Sequence, residues 1–334
     1  MPNITDYSAY FFEVSLKASL IPTPLEKKHM SKLKKYLLFT FISTLIIDLM
    51  GAHDYNTGHI GGLMGFSYSL SISMLIPTIG AFIAGADFKK MGWNPKFTQN
   101  VKPFLFAWLL PTVLPLLGAG LYFMVFPDDL VTSWDYYKDI EPEIYEEAIA
   151  SGESYTGRVV KEIFYSFTPF EFIAIFYGLT EEIGWRGFMF PELKKSHGKI
   201  KGLIIGGIIH GVWHFPAMFL VGYQYGTDYI GAPLLGPPVF CIFTISTGII
   251  TDYLYRKSGT IWITGFFHAM INTNFNSTLI NGHEHYERRI FGPGEVGLIS
   301  VLPLAFTAAA ILWYESKQEF IIEEEEILEE PLIE

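Results

Sequence analysis

Long apolar runs limit the folds open to this chain more than any other feature of its sequence. Eight segments are apolar enough to be candidate membrane spans, at residues 36–52, 60–86, 103–126, 169–193, 202–222, 236–254, 260–280 and 295–314. Most have the roughly 20 residues that cross a hydrocarbon core of about 30 Å. Charged residues make up only 17% of the chain, against about 25% in soluble globular proteins. The sequence therefore predicts an all-α, polytopic membrane bundle of about eight transmembrane helices, with the lipid bilayer as its surroundings.

Basic residues alternate along the links between these segments. Lys and Arg cluster before the first span and after the second, fourth and sixth, whereas most other links are acidic or carry few basic residues. Because cytoplasmic loops are enriched in Lys and Arg, this pattern predicts a multi-pass cell-membrane protein with cytoplasmic N- and C-termini. We divide the chain into a cytoplasmic N-terminal segment, a transmembrane bundle and an acidic cytoplasmic tail, at residues 1–35, 36–314 and 315–334.

Composition also narrows the classes of partner and chemistry. The net charge is −11, and no Lys/Arg-rich arm or basic patch stands out, so the sequence predicts no nucleic-acid partner. The single cysteine, Cys241, lies in an apolar run and can form neither an internal disulfide nor a cysteine metal cluster. Chemistry must therefore come from other residue types.

Two adjacent carboxylates lie in the fourth candidate span, within the stretch Gly178-Leu-Thr-Glu-Glu-Ile-Gly-Trp-Arg-Gly-Phe. Glu182 and Arg186 are four residues apart, so on a helix they share a face and can pair. Glu181 lies about 100° around the helix from Glu182, on the face that also holds Trp185. Ionised groups inside a membrane are costly unless paired, and they usually mark functional sites. The pattern predicts that Arg186 neutralises Glu182 and leaves Glu181 available, with a structural ion cluster as the alternative.

Two further candidate spans carry histidines. His210 and His214 are four residues apart in the fifth span, and His268 and Asn272 are four apart in the seventh. At 1.5 Å per residue, Glu181, His214, His268 and Asn272 lie roughly 20, 20, 17 and 23 Å from the basic residues that flank their spans. The polar groups of three separate helices thus lie at about the same depth in the membrane. We expect these groups to share a cavity that is reached from the cytoplasmic side.

In combination, E-E-x-x-x-R, a Phe-x-x-x-His-type motif and His-x-x-x-Asn resemble the CPBP family of intramembrane proteases. That family includes the CAAX prenyl protease 2 type and bacteriocin-processing or immunity-type relatives. The resemblance covers about residues 169–280, the predicted CPBP-like catalytic core. The matching residues are Glu181, Glu182 and Arg186 in the first motif, His214 in the second, and His268 with Asn272 in the third. The chain departs from the pattern at His210, where the second motif often has Phe. An extra ligand, a proton shuttle and a packing residue are the alternatives for this histidine, and a supporting or packing role is the prediction.

The resemblance implies hydrolysis of a peptide bond within the membrane, in a membrane-associated substrate of CAAX-like or leader type, with or without a lipid. The residue chemistry agrees, because a carboxylate beside a histidine can hold and deprotonate a water. A histidine and an asparagine amide can stabilise the oxyanion. The assigned roles are water activation for Glu181 and His214, oxyanion stabilisation for His268 and Asn272, and support for Glu182, Arg186 and His210.

The sequence is equally consistent with a zinc-dependent version of this site. Two histidines and one carboxylate form a familiar catalytic zinc set with an open fourth position. Glu181, His214 and His268 would then be the ligands, and Glu182 would act as the base. Residue type alone favours neither the metal-dependent nor the metal-independent mechanism.

Two other function classes compete with the protease. A non-catalytic membrane scaffold or bacteriocin-immunity-type protein would bind a partner through the same cavity, but it would not need the complete set of site residues. A transporter with a buried proton site is expected to have an internal repeat with broken helices in both halves, and no such repeat stands out in the sequence. We therefore expect a glutamic or metallo intramembrane endopeptidase.

Overall fold

A computed structural model describes residues 24–168, 172–273 and 280–329 of the chain. Within these ranges the regular structure is helical, apart from one isolated bridge between Leu130 and Asn281. The first half contains α1 (Pro24–Thr57), α2 (Leu63–Ser73), α3 (Ile76–Ile83), α4 (Val101–Val125), α5 (Tyr137–Ile140), α6 (Pro142–Ser151) and α7 (Tyr155–Ser166). The second half contains α8 (Phe172–Gly184), α9 (Phe190–His197), α10 (Lys199–Trp213), α11 (Phe215–Val221), α12 (Gly236–Ser258), α13 (Trp262–Asn272) and α14 (Leu302–Glu329).

Five helical segments in the described ranges are long and apolar enough to cross a membrane: Lys32–Thr57, Leu63–Ile83, Val101–Val125, Lys199–Val221 and Gly236–Ser258. They coincide with the first, second, third, fifth and sixth predicted spans, so the predicted class, an all-α membrane bundle, is confirmed. Part of the fourth and part of the seventh predicted span lie outside the described residues. The count of eight spans and the cytoplasmic position of both ends stay predictions. The boundaries drawn at residues 35 and 315 fall inside α1 and α14.

Two of the predicted spans are interrupted close to a proline. The second span divides into α2 and α3 just before Pro77, and the fifth divides into α10 and α11 just before Pro216. Proline has no backbone N–H and clashes with the preceding helical turn, so it favours a break of this kind. The interruption in the fifth span leaves His214 at the junction between α10 and α11.

Glycines allow the closest helix–helix contacts around the centre of the bundle. A Cβ atom at Gly178 of α8 would lie 2.8 Å from the carbonyl oxygen of Gly265 in α13. A Cβ atom at Gly207 of α10 would lie 2.5 Å from the Cα atom of Ile245 in α12. Small residues let helix backbones approach each other closely in membranes. The two contacts determine how α8 faces α13 and how α10 faces α12.

An ion-pair network ties helices together at the lysine-rich end of the bundle. The Arg256 guanidinium donates from Nη1 and Nη2 to the two carboxylate oxygens of Glu315, at 2.7 and 2.9 Å. Its Nε atom donates to Asp252 at 2.7 Å, and Lys194 also donates to Asp252. Lys199 lies 3.3 Å from Glu315. The network connects α9, α10, α12 and α14.

Candidate active site

One cavity brings the predicted site residues together. It encloses about 860 Å³, including the part that is open to solvent. Its lining contains every residue that the sequence motifs single out: Glu181, Glu182, Arg186, His210, His214, His268 and Asn272. The predicted convergence of three helices on one cavity is therefore present, with α8, the α10–α11 segment and α13 each contributing to the wall.

One carboxylate oxygen of Glu182 contacts two partners in the site. Arg186 Nη1 donates to Glu182 Oε1 at 2.8 Å, as the spacing of four residues predicts. His268 Nδ1 lies 2.9 Å from the same oxygen. The whole residues Glu182 and Arg186 are only 1% and 2% exposed, so their charges must compensate each other. This carboxylate holds the imidazole of α13 against α8.

The Gly178–Gly265 contact explains why these groups meet. Gly178 lies one helical turn before Glu182, and Gly265 lies about one turn before His268. In both helices the Cα–Cβ bonds tilt toward the helix N-terminus, so Glu182 and His268 both lean back toward the glycine contact and come within hydrogen-bond distance. A larger residue at either glycine would separate the carboxylate from the imidazole.

Glu181 points to a different set of partners. Trp185 Nε1 donates to Glu181 Oε2 at 3.0 Å. His210 Nε2 lies 3.4 Å from the same oxygen, and His268 Nε2 lies 3.8 Å from Glu181 Oε1. The residue is only 2% exposed. Two imidazoles therefore face one carboxylate, which is not bonded to Arg186.

His214 occupies a place further from Glu181 than the sequence motifs suggest. Its ring stacks on Tyr223 at a centroid distance of 5.9 Å and contacts the Phe240 ring edge-on at 5.0 Å. Its centroid lies 5.5 Å from that of His210. In the described part of the chain, His210 is thus the fifth-span histidine next to Glu181. The motif alone could not reveal this, because both histidines lie on the same helix face.

Asn272 is the last residue of α13 and lines the cavity. It is exposed, which leaves its amide free to meet a ligand. Asn274 and Asn276, two further polar residues of the seventh predicted span, lie outside the described residues. The assignment of Asn272 to the oxyanion stays a prediction.

The donor set for zinc does not have the expected geometry. In the ranges that the structure describes, no three His, Cys, Asp or Glu side chains form a group that could hold a metal ion. Glu181 and His268 approach each other, but His214 is directed at Tyr223 and Phe240. We therefore derive no step through a metal, and zinc dependence stays a prediction that chelation can test.

The cavity wall also contains residues that lie outside the sequence motifs. Asp48, Tyr223, Gln224 and Glu295 all line the cavity. Asp48 lies within α1, whereas Tyr223 and Gln224 follow α11 and Glu295 precedes α14. Entry to the site from the lysine-rich side stays a prediction. The one sequence signal was Asp48, a carboxylate that interrupts the first apolar run.

Comparison with known proteins agrees with the motifs. A family model described as type II CAAX prenyl endopeptidase Rce1-like matches residues 164–274, which include all seven site residues. A CAAX prenyl protease 2 from Methanococcus maripaludis is 25% identical over 289 residues, covering 86% of this chain and 95% of that protein. The resemblance to the CPBP family is confirmed by these two findings. They also support the broader prediction of a membrane-embedded endopeptidase.

Proposed function

Starting from the confirmed resemblance to the CPBP proteases, we propose that this chain cleaves a membrane-associated peptide or protein through a water activated by Glu181. One observation carries the proposal. Glu181 Oε1 and His268 Nε2 come from two different helices and lie 3.8 Å apart on the wall of a single buried cavity. A base must be within hydrogen-bond reach of the water it deprotonates, and this pair provides such a place.

The contacts of Glu181 support its role as the base. Oε2 accepts a hydrogen bond from Trp185, which fixes the orientation of the carboxylate and leaves Oε1 directed at the cavity. The water oxygen bonds to the scissile carbonyl carbon while one water proton passes to Glu181. When the C–N bond then breaks, its electron pair stays on nitrogen and the leaving amine takes the proton from Glu181. The carboxylate is thereby regenerated.

His268 and Asn272 are suited to the oxyanion. Glu182 holds His268 through Nδ1 at 2.9 Å, so Nε2 is the ring atom that faces the cavity. In the imidazolium form, His268 donates from Nδ1 to Glu182 and from Nε2 to the oxyanion. Preorganised donors of this kind stabilise the negative charge that develops on the carbonyl oxygen. The exposed amide of Asn272 lies one turn further along α13 and supplies a second donor. Glu182 and Arg186 hold His268 in register and do not touch the substrate.

The cavity favours a substrate with apolar side chains near the scissile bond. Beside its polar groups, the lining includes Leu70, Met74, Phe240, Phe243 and Phe267. Ligand sites commonly combine such apolar walls with a few placed polar groups. This lining and the name of the archaeal relative lead us to propose a CAAX-like or leader-type peptide, with or without a lipid, as the substrate class.

The test is cleavage of candidate membrane peptides by purified protein in detergent or vesicles. We expect Glu181→Gln, which keeps the side-chain shape, to lower the rate by about 10²–10⁴-fold. The same change at the exposed Glu147 serves as the control and should leave the rate unchanged. Cleavage that persists at the wild-type rate in Glu181→Gln would refute the proposed role of this carboxylate.

Each reaction is run with and without a chelator. Activity that survives chelation supports the metal-independent route through Glu181. Activity that is lost and then restored by zinc favours the alternative in which Glu181, His214 and His268 bind a metal. A wild-type protein that binds the peptides but never cleaves them would favour a non-catalytic binding protein.

A further inference from the structure

We propose that His210 is a positioning residue that donates a hydrogen bond from Nε2 to Glu181 and holds the base in place. This inference rests on the proposed protease function and goes beyond the family resemblance, because the second CPBP motif often has Phe at this position. The chain therefore carries an extra polar group beside its base. His214, the histidine that matches the motif, is not the one beside Glu181; its ring centroid lies 5.5 Å from that of His210.

The hydrogen-bonding state of His210 sets it apart from an ordinary core histidine. The residue is 6% exposed and lines the cavity. Neither Nδ1 nor Nε2 forms a hydrogen bond with any described protein atom, although Nε2 lies 3.4 Å from Glu181 Oε2. Buried polar groups without partners destabilise a folded protein. A buried imidazole with two unused nitrogens is expected where those nitrogens serve the site.

Packing alone does not require an imidazole here. The His210 ring lies against the Trp185 indole, with centroids 4.9 Å apart and planes 36° apart. A phenyl ring could make the same contact without burying nitrogen atoms. The difference between the two rings is the capacity to form a hydrogen bond, and Glu181 Oε2 lies 3.4 Å from Nε2.

With the proposed bond in place, the two carboxylate oxygens of Glu181 have different roles. Trp185 Nε1 already donates to Oε2, and His210 Nε2 becomes a second donor to the same atom after a small shortening from 3.4 Å. With Oε2 held twice, the carboxylate cannot rotate freely. Oε1 stays directed at His268 Nε2 across 3.8 Å, where the proposed water is deprotonated.

The experiment compares His210→Phe, His210→Gln and a control, His53→Phe, which changes an exposed histidine. We expect His210→Phe to keep KM within about threefold and to lower kcat by about 10–100-fold, as for a misoriented catalytic group. His210→Gln, whose amide can donate from nearly the same position, should recover most of kcat. The control should match the wild type in both constants.

Thermal unfolding in detergent supplies a readout that does not depend on activity. His210→Phe should lower the midpoint temperature, because it removes a donor to the buried Glu181 carboxylate. His210→Gln, whose amide can donate to the same oxygen, should restore most of the loss. A midpoint in His210→Phe at or above that of the wild type would overturn the inference, whether or not the protein cleaves peptides.

Three kinetic results would also overturn the inference while leaving the proposed function intact. The first is a wild-type kcat in His210→Phe. The second is a His210→Gln variant as slow as His210→Phe. The third is a His210→Phe defect that added zinc corrects, which would make His210 a metal ligand. Loss of the proposed function itself is recognised separately, by a wild-type protein that cleaves none of the peptides.

Discussion

Replacing Gly178 by alanine should uncouple His268 from Glu182 while leaving every proposed catalytic side chain in the sequence. The new Cβ atom would lie 2.8 Å from the Gly265 carbonyl oxygen and 3.1 Å from His268 Cβ, whereas ordinary contacts begin near 3.4 Å. Because the nearest atom belongs to backbone, α8 and α13 must separate by about 0.6 Å. The bond of 2.9 Å between His268 Nδ1 and Glu182 Oε1 would then stretch to about 3.5 Å, beyond effective hydrogen bonding.

The expected consequences are both kinetic and thermodynamic. Misplacement on this scale lowers enzymatic rates by up to about 10²-fold, so we expect Gly178→Ala to lower kcat by about 10–100-fold. Overpacking should also lower the free energy of unfolding by about 1–3 kcal/mol. Peptide cleavage and thermal unfolding in detergent measure the two effects.

Gly120→Ala is the matched control for this substitution. Gly120 is also a helical glycine, but a Cβ atom there would meet nothing within 4 Å. Its replacement should therefore leave the rate unchanged and stabilise the helix by up to about 1 kcal/mol. If Gly178→Ala cleaves peptides as fast as Gly120→Ala, the close α8–α13 contact does not position His268, and the reasoning is refuted.

Three further substitutions test the buried charges of the bundle by thermal or denaturant unfolding. Arg186→Met removes the guanidinium that pairs with the buried Glu182 carboxylate and should destabilise the protein by about 3–5 kcal/mol; an unchanged midpoint would contradict this. Arg256→Lys loses the two-point contact with Glu315 and, because the arginine side chain is 32% exposed, should cost only about 1 kcal/mol. Asp48→Asn should stabilise the fold by about 1–2 kcal/mol, since this 2% exposed carboxylate has a serine hydroxyl but no cation among its described partners; a destabilised variant would argue against a charged Asp48.

Surface residues supply controls for Arg186→Met and Asp48→Asn. Arg158 pairs with Glu153 and Glu162 but its side chain is 41% exposed, so Arg158→Met should shift stability by less than about 1 kcal/mol. Asp87 pairs with Lys90 at 53% side-chain exposure, and Asp87→Asn should have a similarly small effect. Equal losses in Arg158→Met and Arg186→Met would show that burial of the Glu182 pair does not control its contribution.

Helix class and the approximate extent of several spans follow from local sequence. The predicted segments 103–126 and 236–254 correspond to α4 (Val101–Val125) and α12 (Gly236–Ser258), because the length of an apolar run is a local property. The breaks after α2 and α10 were not predicted. Pro77 and Pro216 were the available signals, since each proline disfavours a continuous helix at its position.

The composition of the site could also be predicted in part. The Glu182–Arg186 pair follows from a spacing of four residues on one helix, and the structure contains it at 2.8 Å. The depth of the histidines predicted that they share a level with Glu181. The contribution of Tyr223, Gln224 and Glu295 to the cavity wall could not be predicted. The sequence of a link has no helical periodicity that would indicate which helix it packs against.

The sequence by itself determined that this chain forms a helical membrane bundle and which polar residues lie at one depth within it. Only the tertiary structure decided which of them touch. His210 and His214 lie one turn apart on the same helix face, yet His210 is the one beside Glu181, because the position of α10 along its axis brings the earlier turn to the level of that carboxylate. His268 reaches Glu182 because Gly178 and Gly265 bring two distant helices into backbone contact. Spacing within a helix is encoded locally, whereas rotation and separation between helices depend on how all their surfaces pack.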